Sequence, residues 1–257
     1  MMDRARRAEY LQTLGIDIWI PRAGIAAAAG LPAAAEASVS TGPAPQPGPR
    51  PGPQVGPPAS PGPWEALRAE VLQCTRCSLH SGRTQGVFGV GNPRAEWMVI
   101  GEAPGAEEDR RGEPFVGRAG QLLDAMLRAI GLSRAENVFI ANVLKSRPPN
   151  NRDPRPEEVA ACLPYLRRQI ELVRPRLLLA VGRIAAQNLL GTDESLSRLR
   201  GRVHRFGELN TPLVVTYHPA YLLRSPADKR KAWEDLKFAR SVFRQLTADI
   251  PEDGQRS

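Results

Sequence analysis

From residue 97 onward, four apolar runs recur in which hydrophobic residues do not alternate with polar ones. They are Trp97-Met98-Val99-Ile100, Val138-Phe139-Ile140, Leu177-Leu178-Leu179-Ala180-Val181 and Leu213-Val214-Val215-Thr216-Tyr217. Runs of strand length bounded by turn-forming residues predict strands buried on both faces rather than strands with one wet side. Between them, apolar positions fall at helical spacing over 120–130, 156–173 and 183–190, and again over 228–246 after the last run. Strand and helix alternate, with connections long enough for crossover helices. The pattern predicts an α/β fold, a three-layer α/β/α sandwich around a central four-stranded, mainly parallel sheet.

In such sheets ligands bind beyond the carboxyl ends of the strands. There the sequence places Glu102 in GEAPG (101–105), then Asn142, Gly182, and His218 in HPAYLLR (218–224). An acid, an amide, a bare backbone and an imidazole converge on one rim. Gly101 and Gly105 permit tight turns and close approach, and a carboxylate fixed between them can orient water. Phe115, flanked by Pro114 and Gly117, is an aromatic on a loop. It suits stacking against a flat ligand, and would also serve as a plug over the core. Asn142 carries both a donor and an acceptor, as the edge of a pyrimidine requires; the same side chain could cap a turn or helix.

His218 precedes Pro219, which holds its backbone extended, and its imidazole can donate a hydrogen bond to an anion forming on a leaving group. Tyr221, Leu222, Leu223 and Arg224 read as an apolar wedge ending in a cation, suited to entering a base stack while Arg224 holds a phosphate. The alternative is an ordinary helix start with Leu222 and Leu223 packed inward. Glu107, Glu108 and Asp109 read as a solvated acidic turn, and His80 and His204 as structural or exposed.

Composition narrows the setting. The chain has 257 residues, 42% of them hydrophobic, enough for one good-sized core. No run reaches the length of a membrane span. A formal charge of +8 favours a polyanionic partner, although lysine occurs only at 145, 229, 231 and 237 amid abundant arginine and alanine, a skew that a GC-rich genome also produces. Three cysteines without a signal peptide suggest a reducing cytoplasm.

From 26 to 63 the composition collapses to Ala, Pro, Gly and Ser, which predicts a disordered linker. It separates a peptide at 1–25 from a folded domain at 64–248, with a tail at 249–257. Within 4–22, Tyr10, Leu11, Leu14, Ile16, Ile18, Trp19 and Ile20 are too apolar for a mere tail. Such a peptide either packs back on the domain or, on its long tether, recruits a partner.

The motifs GEAPG, PFVG (114–117), NVLKSRPPNNRDP (142–154), LRGRVH (199–204) and HPAYLLR together resemble the family 4 uracil-DNA glycosylases, the iron–sulfur members of the uracil-DNA glycosylase superfamily. The resemblance covers about 67–243. It implies a DNA repair enzyme that flips uracil from single- or double-stranded DNA and hydrolyses its N-glycosidic bond, acting as a monomer in the bacterial cytoplasm at the nucleoid. It further implies that Glu102 stands near the attacking water, Phe115 stacks on uracil, Asn142 reads its edge, and His218 stabilises the departing base. Leu222, Leu223 and Arg224 would belong to the loop that enters DNA. Alternatives are a catalytically weak DNA- or replisome-binding member of the family, or a glycosylase for another deaminated base such as hypoxanthine. A covalent branch of the superfamily is disfavoured because its histidine-bearing insertion is absent.

The resemblance also implies a 4Fe–4S cluster held by four cysteines. Cys74, Cys77 and Cys162 supply three, and Ser146 stands at the remaining position. Three readings follow: a cluster completed by an oxygen ligand from Ser146, water or another side chain; a smaller or labile cluster; or no metal. His80 would be a replacement ligand or a polar residue on the turn beside Cys77. The peptide at 6–22 resembles the N-terminal peptide of the psi subunit of bacterial DNA polymerase III, which implies the replication clamp loader as a partner through residues 4–22.

Overall fold

The computed structural model describes residues 62–248. The expected peptide, nearly all of the linker and the tail lie outside the described residues.

The four apolar runs form parallel strands: β2 (Trp97–Gly101), β3 (Val138–Asn142), β4 (Leu177–Val181) and β6 (Thr211–Thr216). The sheet has six strands rather than the expected four, because β1 (Val90–Gly91) and β5 (His204–Phe206) add antiparallel edges in the order β1-β3-β2-β4-β6-β5. These edges are two and three residues long and only partly buried. They carry no apolar run, so nothing in the hydrophobic pattern announces them.

Every residue of the four central strands is buried, and successive side chains feed opposite cores, as strand geometry requires. Met98, Ile100, Phe139, Leu178 and Val215 pack with α1 (Pro63–Leu72), α4 (Pro156–Val173) and α5 (Arg183–Leu190). Trp97, Val99, Ile140, Leu179 and Val214 pack with α3 (Arg118–Ala129) and α8 (Lys229–Ala248). This double burial is the physical content of an unalternated run, each side chain contributing about 1.5–3 kcal/mol.

Polar residues pin the segments leaving the sheet. Glu158, on the first turn of α4, accepts from the Arg155 amide at 2.9 Å and from both ends of the Arg152 guanidinium at 2.9 and 2.5 Å. Arg200, from the LRGR motif, donates to the buried Asp235 of α8 at 2.6 and 2.8 Å, and Asp235 also accepts from Thr216 at the end of β6 at 2.8 Å. The same guanidinium lies 4.5 Å over the ring of Tyr217, which stacks on Tyr221 of α7 (Pro219–Arg224) at 5.4 Å. The short helix α7 is thereby fixed at the mouth of β6. The chain order switches direction between β2 and β4, whose neighbours lie on opposite sides, and a ligand site is expected at that switch point.

Candidate active site

β2 and β3 end in register on Gly101 and Asn142, and the pairing runs on through Val143 N–H to Gly101 O at 2.9 Å and Leu144 N–H to Glu102 O at 3.0 Å. This continuation sets Asn142 beside Glu102. Asn142 is 2% exposed, and its Oδ1 is the one buried side-chain polar atom among the described residues with no hydrogen-bond partner. An orphaned buried acceptor costs about 1–3 kcal/mol, so its persistence points to a donor brought by a ligand. A side chain at Gly101 would collide with that oxygen and come within 2.7 Å of the Phe115 ring. The bare glycine is what lets amide and ring share one wall.

Phe115 holds a left-handed backbone, φ 55°, uncommon for any residue but glycine. Charged groups grip the peptides around it. The Glu108 carboxylate accepts from the amides of Val116 at 3.1 Å and Gly117 at 3.4 Å, while its other oxygen accepts from Gly105 at 3.1 Å. The ring is buried and faces the imidazole of His218 at 5.6 Å, inclined by 29°. That gap is too narrow for a base between the rings, which would need about 7 Å. A flat ligand must meet the two from different sides.

His218 sits over Gly182, whose φ of +98° and missing side chain leave room for it. The Ala220 amide donates to His218 Nδ1 at 3.1 Å, so in the neutral ring the proton resides on Nε2. Burial, reinforced by the Arg224 charge and opposed by Glu108, depresses the imidazole to about 4. At neutral pH it is therefore an uncharged Nε2–H donor.

Glu102 moves the other way. Burial, aided by the charge of Asp153 and opposed by Arg183, lifts its carboxyl to about 7. All four groups, Glu102, Phe115, Asn142 and His218, line a single cleft of about 450 Å³ with Asp153 and Arg224. A second hollow of about 500 Å³ shares Glu102, Asp153, His218 and Arg224 and continues past Gly182 and Arg183. Together they offer a compartment for a flat molecule, opening into a wider groove with arginine on its border.

The wedge is narrower than its sequence suggested. Leu222 is 1% exposed and packs into the core beneath α7, because the helix turns that position inward; Tyr221, Leu223 and Arg224 remain exposed. The acidic turn is also different from its reading. Asp109 is buried and accepts from the Thr84 amide through both oxygens at 3.0 Å, and Glu108 is the clamp just described. A glutamate three residues after Gly105 sits where a helix-start clamp belongs, which is the signal that could have found Glu108. Arg134, which donates to the Phe115 carbonyl, has no comparable sequence signal.

The thiols of Cys74, Cys77 and Cys162 pack around one core. Burial raises the Cys162 thiol, opposed by the backbone hydrogen bond and the charge of Lys145 and aided by Cys77 and Cys74. Among the described residues, no three metal-binding side chains gather as they would around one ion. Ser146 is buried, and its hydroxyl accepts from Arg83 at 2.8 Å; the other arm of that guanidinium donates to Leu72 O at 2.7 Å. His80 Nδ1 meets Cys77 O at 2.8 Å, a contact within the turn. Lys145, next to Ser146, is fully enclosed. Its ammonium donates to Asn142 O at 2.8 Å and Gln169 Oε1 at 2.6 Å, and burial brings it down to about 7.

The description of the uracil DNA glycosylase superfamily matches residues 88–237. A type-4 uracil-DNA glycosylase of Archaeoglobus fulgidus is 48% identical over 175 residues, covering 65% of this chain and 87% of that protein. One of Thermotoga maritima is 42% identical over 185 residues, covering 70% and 95%. A type-5 uracil-DNA glycosylase of Thermus thermophilus is 33% identical over 149 residues, covering 51% and 68%.

Proposed function

The chain belongs to the uracil-DNA glycosylase superfamily and to its type-4 branch, and on that premise we propose that it excises uracil from DNA by hydrolysis, leaving an abasic site. The observation that carries the assignment to this cleft is the unpartnered Asn142 Oδ1. The pairing edge of uracil offers one N–H flanked by two carbonyls, and a fixed amide answers the N–H and one of them.

Each side chain then takes one task. Phe115 supports the face of the flipped base, and Asn142 holds its edge. As the N-glycosidic bond breaks, negative charge spreads over the uracil ring, and the neutral Nε2–H of His218 donates to the oxygen that receives it. A neutral donor binds an anion that forms only in the transition state without holding the ground state equally tightly. Glu102, once deprotonated, orients water towards the sugar carbon and stabilises the positive charge developing there. Tyr221, Leu223 and Arg224 meet the opened strand, Leu223 filling the gap left in the stack and Arg224 taking a phosphate.

The deciding experiment offers the full chain oligonucleotides bearing uracil, hypoxanthine or no lesion, single- and double-stranded, followed by alkaline cleavage. Hypoxanthine presents a similar N–H and carbonyl pair and is the informative competitor. Scission confined to uracil and lost in Glu102→Ala and His218→Ala is expected. Binding without scission would replace this reading with a DNA-binding role.

The chain supplies three of the four cysteines that the family's 4Fe–4S cluster needs, and not the fourth. Cys74, Cys77 and Cys162 are free thiols, but the fourth position carries a hydroxyl already engaged by Arg83, and an alcohol is a poor iron ligand. No step of the reaction is assigned to the cluster. Cys74, Cys77 and Cys162 would hold what iron is bound, and Ser146→Cys is expected to raise the iron content of the purified protein. The chain acts as a monomer in the cytoplasm at the nucleoid, and among the described residues no helix is long and apolar enough to cross a membrane. Residues 4–22 engage the clamp loader. A pull-down with residues 1–25, controlled by Trp19→Ala, tests that part alone.

A further inference from the structure

Arg134 touches neither the cleft nor the proposed base, yet it grips the most strained residue of the site. It lies in the loop between α3 and β3, 19 residues from Phe115 in the chain. Its guanidinium donates to Phe115 O at 3.0 Å and to Pro114 O at 3.3 Å, while Nε donates to Asp124 Oδ1 of α3 at 2.8 Å. The carboxylate aims the fork, and the fork holds two successive carbonyls. On the opposite side Glu108 holds the two successive amides of Val116 and Gly117. The three peptide groups from Pro114 to Gly117 are thus fastened by charges of opposite sign, the Phe115–Val116 group at both its carbonyl and its amide.

The fastening has a specific consequence. Phe115 keeps φ at 55°, where a phenylalanine does not rest unless its surroundings over-determine it. Relaxation to an ordinary φ would rotate the side-chain direction and carry the ring away from Gly101 and His218. A planar guanidinium with several donors in a fixed fork can span two carbonyls and a carboxylate at once, which an ammonium cannot.

We propose that Arg134, aimed by Asp124, is a positioning residue for base excision: it holds the Phe115 backbone in the left-handed conformation that presents the ring to the flipped base. This inference rests on the uracil-excision reading above.

The test is a double-mutant cycle in the full chain, measuring single-turnover uracil excision and DNA affinity for Arg134→Gln, Phe115→Ala and the pair. Misplacement of a reacting partner by about an ångström lowers rates about a hundredfold, and a loss of that order is expected for Arg134→Gln, with DNA affinity within about threefold of the parent. In the Phe115→Ala background the same substitution should have no further effect, because no ring remains to position. Arg134→Lys should not restore the rate. Asp124→Asn, which leaves the arginine in place but unaimed, should lose about fivefold, again only while Phe115 is present; it carries the test if Arg134→Gln does not fold. Losses that multiply in the double variant, or a wild-type rate in Arg134→Gln, would overturn the inference alone. An unmutated chain that leaves uracil untouched would overturn the excision reading and the inference with it.

Discussion

Asn142 and Lys145 are three residues apart, both polar and both almost completely enclosed, yet they sit in opposite conditions. Among the described residues the Asn142 side-chain oxygen has no partner, whereas the Lys145 ammonium has two, one of them the backbone carbonyl of Asn142 itself. The contrast extends to their surroundings. Around Asn142 stand an acid lifted to about 7, an imidazole depressed to about 4 and a strained phenylalanine. Around Lys145, Ser146 is bonded to Arg83 and Gln169 donates to Phe88 O. Unmet hydrogen-bonding capacity and stored strain mark a place prepared for a ligand, while met capacity marks structure. The two regions meet at Asn142, where Lys145 steadies the backbone of the residue whose side chain is left open.

That contrast breaks most decisively through Asn142→Ala. Uracil excision should fall by about a hundredfold or more, as when a positioned hydrogen-bonding group is lost from an active site, while stability holds or rises, since an unpaired buried acceptor disappears. Excision kinetics beside a urea titration would reveal both, and a destabilised but active variant would erase the distinction. Gly101→Ala should cost a comparable factor, about tenfold to a hundredfold, because the new methyl displaces the Asn142 oxygen and the Phe115 ring together. Lys145→Met should act in the reverse sense. It leaves Asn142 O and Gln169 Oε1 unpaired and should lower stability by about 1–3 kcal/mol, with a smaller effect on the rate.

The smallest effect is in the pH dependence. Glu102 titrates near 7 in the folded chain against 4.5 ordinarily, so the folded state binds the extra proton, and stability present below about 4.5 is lost as pH rises through 7. Glu102→Gln should therefore stabilise the protein by about 1–2 kcal/mol at pH 8, after allowance for solvent screening, and by nothing near pH 4. Excision should rise through pH 7 as the carboxylate forms. Its acid limb should vanish in the variant along with most of the rate. For His218 the sign is opposite: the unfolded ring protonates below about 6.5 while the folded one resists to about 4, so stability falls as pH drops across that interval.

Much of this was written locally. Every residue of the four central strands is buried from both sides, and so none can alternate. The cleft residues Glu102, Asn142 and His218 were visible because each closes or follows such a run. The edge strands were invisible because two or three half-exposed residues contain no period. Glu108 and Asp109 looked solvated because a charge in a turn usually is; here the turn folds back upon the amides of Gly105, Val116 and Gly117 and of Thr84. Leu222 and Leu223 are neighbours in one motif, and only the direction in which α7 meets the core separates the buried one from the exposed one.

Hydrophobic periodicity and chain order already set the layered α/β plan, the rim on which the chemistry stands and the identity of the groups at strand ends. Tertiary structure alone decided that the Asn142 oxygen is left without a partner, that Ser146 is engaged by Arg83, and that Arg134 reaches across the fold to hold Phe115. Hydrogen bonds form between groups distant in the chain, and burial, which shifts Glu102 and His218 in opposite senses, belongs to a place in the folded molecule.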